Sequence, residues 1–114
     1  MFNSGTIYSN FTPLVKAPVI GYRISGDDVL NILKKITKKN FSKDHSLIQI
    51  VKIYQQDETL LDECSVVYFK SPKSFTGEDV CEIFLHGSPL IASQFEQLLK
   101  DLKVSGLRLA KIGE

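Results

Sequence analysis

Two strand-like stretches each place a charge where its surroundings make that charge costly. In "VCEIFLH", residues 80–86, alternation puts Val80, Glu82, Phe84 and His86 on one face and Cys81, Ile83 and Leu85 on the other. Glu82 therefore stands among apolar neighbours. In "VIGYRIS", residues 19–25, the same rule sets Arg23 on a face with Gly21, whose missing side chain is expected to leave open surface for a flat pocket. A carboxylate among apolar groups is destabilising unless something donates to it. A pterin or guanine ring could, because its two adjacent N–H groups match the two oxygens of a carboxylate. Arg23 could also, in an ion pair or at the wet edge of a sheet, and alternation alone leaves both readings open.

The remaining reactive side chains form no catalytic set. His86, in "HGSP", has no visible nucleophile to serve and reads as a structural residue at a strand end. Cys64 and Cys81 form no CxxC, and with His45 and His86 they match no zinc-site spacing, so buried free thiols are expected. No GxxxxGK[ST], GxSxG or HExxH occurs, which excludes nucleotide binding through a P-loop and leaves no catalytic residue or metal ligand to name. Glu78 and Asp79 read as acceptors for backbone N–H groups that shape their loop.

The elements that must position these residues follow from periodicity and turn chemistry. Strands are expected over residues 6–11, 19–25, 46–54, 60–69 and 80–86, with "LRLAKI" as a last strand. The density of apolar residues in 46–54 predicts a strand covered on both faces. A first helix follows Gly26, with Ser25 as its N-cap and Val29, Leu30, Leu33 and Ile36 at helical spacing. A second starts at Pro89 with Ser88 as cap, buries Ile91, Phe95, Leu98 and Leu102, and ends by Gly106. "TPLVKAP", "QQDET" and "KSPKSFTGED" are loops. This order gives an α+β domain with a mixed β-sheet and two main helices packed on it.

Composition agrees with one globular domain over residues 1–114: 43% of the chain is hydrophobic and 24% charged. Fourteen basic residues against 13 acidic ones give a net charge of +1, too little for a global field that attracts nucleic acid. Lys34, Lys35, Lys38, Lys39 and Lys43 read as the solvated face and exit of a helix, with a phosphate-contacting patch as the alternative. No apolar run is long enough to span a bilayer, and "MFNSGTIYSN" lacks the pattern of a secretory signal, so a cytoplasmic location is expected.

The run "KSPKSFTGEDVCEIFLHGSPL", together with "TIYSNFTP", "GYRISG" and "GLRLAKIGE", resembles the N-terminal domain of the MnmE/TrmE tRNA modification GTPase family. The resemblance implies a fold similar to the tetrahydrofolate-binding domain of aminomethyltransferases. It implies a bound tetrahydrofolate derivative, in the 5-formyl or 5,10-methylene form, and a homodimer. It also implies a flavoprotein partner of the MnmG type and action, through the full-length complex, on C5 of the wobble uridine of tRNA, without a membrane. GTP, potassium and magnesium belong in that family to a separate GTPase domain, so this chain alone is expected to be non-catalytic. The family's folate-contacting arginine, in its "RxSG" segment, matches Arg23, and its glutamate after "GEDV" matches Glu82. A further folate-contacting lysine of the family corresponds to a position beyond Glu114. The sequence departs from the family at "LVKAP", where Ala17 and Pro18 stand in place of glycines, at "HGSP" for "HGGP" and at "IGE" for "PGE". Two other readings therefore stay open: a dimerisation module with a degraded folate site, and an aminomethyltransferase-like enzyme domain.

Overall fold

β-Branched and aromatic residues at alternate positions drive this chain into strands, and its two amphipathic stretches supply the helices that cover them. The computed structural model describes residues 5–12, 19–41, 48–70, 78–102, 104 and 106–110. Strands β1 (Ile7–Asn10) and β2 (Val19–Ser25) lead into helix α1 (Val29–Thr37). Strands β3 (Gln49–Tyr54), β4 (Leu60–Phe69) and β5 (Val80–His86) follow, then helix α2 (Pro89–Asp101) and the short β6 (Arg108–Leu109). The expected α+β order is what the chain adopts.

The six strands form one mixed sheet in the order β3-β4-β5-β2-β1-β6, antiparallel except for the parallel β1–β6 pair. Both helices pack on one face, α1 over β3 and α2 over β4 and β5. The core lies between: Tyr22, Ile24, Val51, Ile53, Val66, Cys81, Ile83 and Leu85 from the strands meet Ile32, Leu33 and Ile36 of α1 and Phe95, Leu98 and Leu99 of α2. Because side chains alternate, every second residue of β2 and β5 points away from this core, onto a face that neither helix covers.

Three local expectations are corrected. Strand β3 is an edge strand with one face open, and Ile48 and Ile50 are exposed there rather than covered on both faces. Apolar density reports hydrophobicity, not which strand ends up outermost. The N-cap position of α1 belongs to Asp28, not Ser25, which ends β2. No side chain of α1's own cap bonds its first turn. Instead Thr6, 22 residues away and fully buried, accepts the Asp28 backbone N–H on Oγ1 at 3.0 Å. Finally, α2 ends at Asp101, and Gly106, with φ 80°, turns the chain into β6 rather than closing the helix.

The start of α2 is as expected: the Ser88 Oγ accepts the Ile91 N–H at 3.3 Å and Pro89 occupies the first turn. Residues 13–18, which include Lys16 and the altered "LVKAP" loop, lie outside the described residues, as do Lys43, His45, the whole "SPKSFTG" loop and residues 111–114.

Candidate functional site on the open face of the sheet

Sheet order decides what alternation could not. Strands β3 and β4 are inserted at one side, so β2 pairs directly with β5, and Arg23 is the cross-strand partner of Glu82. Directly opposed residues share a face and lie within reach of one another. The row continues to Ser9 of β1 on one side and Val67 of β4 on the other.

Arg23 donates to Glu82 through Nε at 3.0 Å and Nη2 at 2.8 Å, and both bonds land on Oε2. Oε1 is left with acceptor capacity. The arginine side chain is 34% exposed and the glutamate 17%, so the pair is reachable from solvent without being fully hydrated. The ion-pair alternative from the sequence is thus what the geometry displays, and the two residues singled out by alternation do meet.

The open surface expected beside Gly21 is absent. The Phe11 ring lies over Gly21 so closely that a Cβ there would come within 2.4 Å of it, and the Phe11 N–H donates to the Gly21 carbonyl at 2.9 Å. The same ring sits under the Arg23 guanidinium, 4.8 Å from its centroid, and meets Phe84 edge-on at 5.9 Å. Cation–π contact and T-shaped packing make Phe11, Phe84 and Arg23 one unit. Phe11 was missed from sequence because its role depends on the bare backbone of the neighbouring strand. Its phase with Ile7 and Ser9 on β1, on Arg23's face, is the signal that could have found it.

His86, at the end of β5, has a partner that sequence reasoning did not name. Asp62, on β4 and almost fully buried, accepts the His86 backbone N–H on Oδ2 at 2.9 Å and meets His86 Nδ1 with Oδ1 at 2.8 Å. An acidic residue in an otherwise apolar strand was the available signal.

The other reactive groups form no part of the Arg23–Glu82 pair. Both cysteines are buried and free. Burial, with Asp62 and Glu63 nearby, pushes the Cys64 thiol up to about 12, and full burial raises Cys81 as well, so neither supplies a thiolate. On the helix face the Tyr22 hydroxyl donates to Glu96 of α2; burial first, and then Glu96, raise its pKa. Glu78 is raised by burial and by the nearby Asp27 and Asp79 carboxylates, while the Asp79 carbonyl accepts the Gly26 N–H at 2.9 Å. Lys34, Lys35, Lys38 and Lys39 are exposed, with Lys38 paired to Glu58 at 2.7 Å. Among the described residues no cluster of three or more metal-ligating side chains forms, and no helix is long and apolar enough to cross a membrane.

Comparison with known proteins gives this arrangement a context. Residues 6–114 match the family described as GTP-binding protein TrmE N-terminus. The chain is 46% identical over 110 residues to the tRNA modification GTPase MnmE of Helicobacter pylori (strain HPAG1), covering 96% of this chain and 23% of that protein. It is 42% identical over 110 residues to the tRNA modification GTPase MnmE of Rickettsia rickettsii (strain Sheila Smith), covering 96% of this chain and 24% of that protein. The chain therefore spans about a quarter of the length of these relatives. A match that runs through both strands of the Arg23–Glu82 pair, the aromatic cover and both helices establishes that this chain belongs to the MnmE/TrmE family, as its N-terminal domain.

Proposed function

We propose that this domain binds a tetrahydrofolate derivative of the 5-formyl or 5,10-methylene kind on the open face of its sheet. We further propose that it forms a homodimer and serves a larger GTPase that modifies C5 of the tRNA wobble uridine in the cytoplasm, with an MnmG-type flavoprotein. The observation that carries the reading is the Arg23–Glu82 pair. An ion pair open to solvent on its arginine side adds only about 0–1 kcal/mol to stability, so stability gives little reason for the two charges to stand beside Phe11. A ligand gives a better one. Glu82 Oε1 can accept a pterin N–H as it stands, and a two-point grip requires Arg23 to give up one of its two bonds to Glu82. Phe11 and Phe84 supply apolar walls for a flat ring. When bound, the folate supplies the one-carbon unit; this chain's residues bind and orient it. The exposed Phe11, Val19 and Ile50 on the open face support association with a second copy.

Calorimetric titration with 5-formyltetrahydrofolate tests the reading. Wild-type chain is expected to bind, Arg23→Ala to lose measurable binding, and Glu82→Gln to weaken it by about 1–3 kcal/mol, the range for hydrogen bonds to charged groups. Circular dichroism should show both variants folded. Glu82→Gln binding as tightly as wild type would remove Glu82 from the site. Sedimentation of the same samples reports the dimer separately, and dimerisation without folate binding would favour the degraded-site reading.

A further inference from the structure

Four residues beyond Glu82 on the same face of β5, His86 is held in an unusual way for a residue so exposed. Its side chain is 71% accessible, so burial does not fix it, yet it is tied at two points to a carboxylate that is only 9% accessible. A carboxylate can only accept, so the hydrogen of the neutral ring lies on Nδ1. Nε2 is then an acceptor with a fixed direction. The backbone is fixed too, since the Ser88 N–H donates to the His86 carbonyl at 2.8 Å where α2 begins.

The ring borders a shallow hollow of about 390 Å³ on the open face, lined by Val19, Ile50, Ser65, Phe84, Glu63 and His86 among others. Its walls are mostly apolar. Among the described residues its charges are one-sided, with Glu63 on the lining, Asp62 behind the ring, and no lysine or arginine on the lining. Such a hollow suits an aromatic group with an N–H donor and repels a carboxylate. Phe84 is common to this hollow and to the Arg23–Phe11 unit, and four residues at the rise of a strand separate Glu82 from His86 by about 13 Å.

We propose that the ligand site extends past Phe84 and that His86 Nε2 accepts a hydrogen bond from the benzoyl amide N–H of the folate tail. The pterin is then gripped at Glu82, the benzoyl ring lies against Phe84 and Val19, and the tail carboxylates point out to solvent, away from Glu63. Asp62 acts as a positioning residue that fixes the His86 tautomer. The inference rests on the folate reading and makes His86 a determinant of specificity for tailed over tailless pterins.

The test is titration of the wild-type chain and His86→Ala with two probes, 5-formyltetrahydrofolate and a tetrahydropterin without the benzoyl-glutamate tail. Histidine ring nitrogens of the wild type are followed in parallel by NMR, with the variant assigning the His86 signals. His86→Ala should bind the tailed probe about threefold to tenfold more weakly, the cost of one hydrogen bond, and the tailless probe equally well. The wild-type His86 should be the Nδ1–H tautomer, its Nε2 signal moving with the tailed probe alone. An unchanged affinity for the tailed probe, an equal loss for both probes, or an Nε2 signal that ignores the tail would each overturn the inference while leaving the folate reading intact. Failure of the wild type to bind either probe would overturn the folate reading itself, and this inference with it.

Discussion

Phe95→Ala is expected to lower the unfolding free energy by about 3–5 kcal/mol, the range for emptying the place of a buried aromatic ring. Phe95 is fully buried at the centre of α2's inner face, and its ring lies 4.9 Å from that of Tyr22 at an angle of 52°. Removing it deletes the apolar contact between helix and sheet and withdraws support from Tyr22, whose hydroxyl holds the next residue of α2, Glu96. Small domains have about 5–15 kcal/mol in total, so the variant should be near the edge of stability. Urea denaturation is the measurement: a lower midpoint at unchanged slope is expected. A loss below about 1 kcal/mol would mean that α2 can collapse into the space, which the close packing around Tyr22 argues against.

Gly26→Ala should cost nearly as much, about 2–5 kcal/mol, by adding backbone strain to overpacking. Gly26 has φ 145°, which side-chain-bearing residues rarely adopt, and a Cβ there would lie 2.6 Å from both the Cα and the Oγ1 of Thr6. Thr6 cannot yield freely. It is fully buried, its Oγ1 holds the N-cap residue of α1, and its carbonyl accepts the Arg108 N–H at 3.1 Å. The damage should therefore spread to α1 and β6, and hydrogen exchange should show early loss of protection at Asp28, Ile32 and Arg108. Protection unchanged at those amides would mean that the turn relaxes locally.

The order of elements was legible in the sequence because each carries its own local cause: alternation in β2 and β5, the Ser88–Pro89 start of α2, the glycine after β2. What stayed hidden depends on contacts between distant segments. Ser25 looked like a cap because it precedes a helix, but the N-cap is Asp28, whose N–H is held by Thr6 just before β1. Strand β3 looked interior because it is apolar, but strand order is a global property that no local window contains. The candidate site divides in the same way. Alternation isolated Arg23 and Glu82 and gave their faces; it could not give the β2–β5 pairing that joins them. Phe11 over Gly21 and Asp62 behind His86 lay further out of reach, since each is defined only by its partner on a neighbouring strand.

The position of the Arg23–Glu82 pair also sets its place in time. Its two residues are 59 apart in sequence, whereas β3 and β4 close over the short Gln55–Thr59 turn. Loop closure costs more entropy the longer the loop, so the β3–β4 hairpin closes at lower cost than the β2–β5 ladder. A ligand that needs both halves of the pair finds no site on the partly folded chain. Such a ligand would act as a kinetic lock, lengthening the lifetime of the finished domain without hastening its arrival.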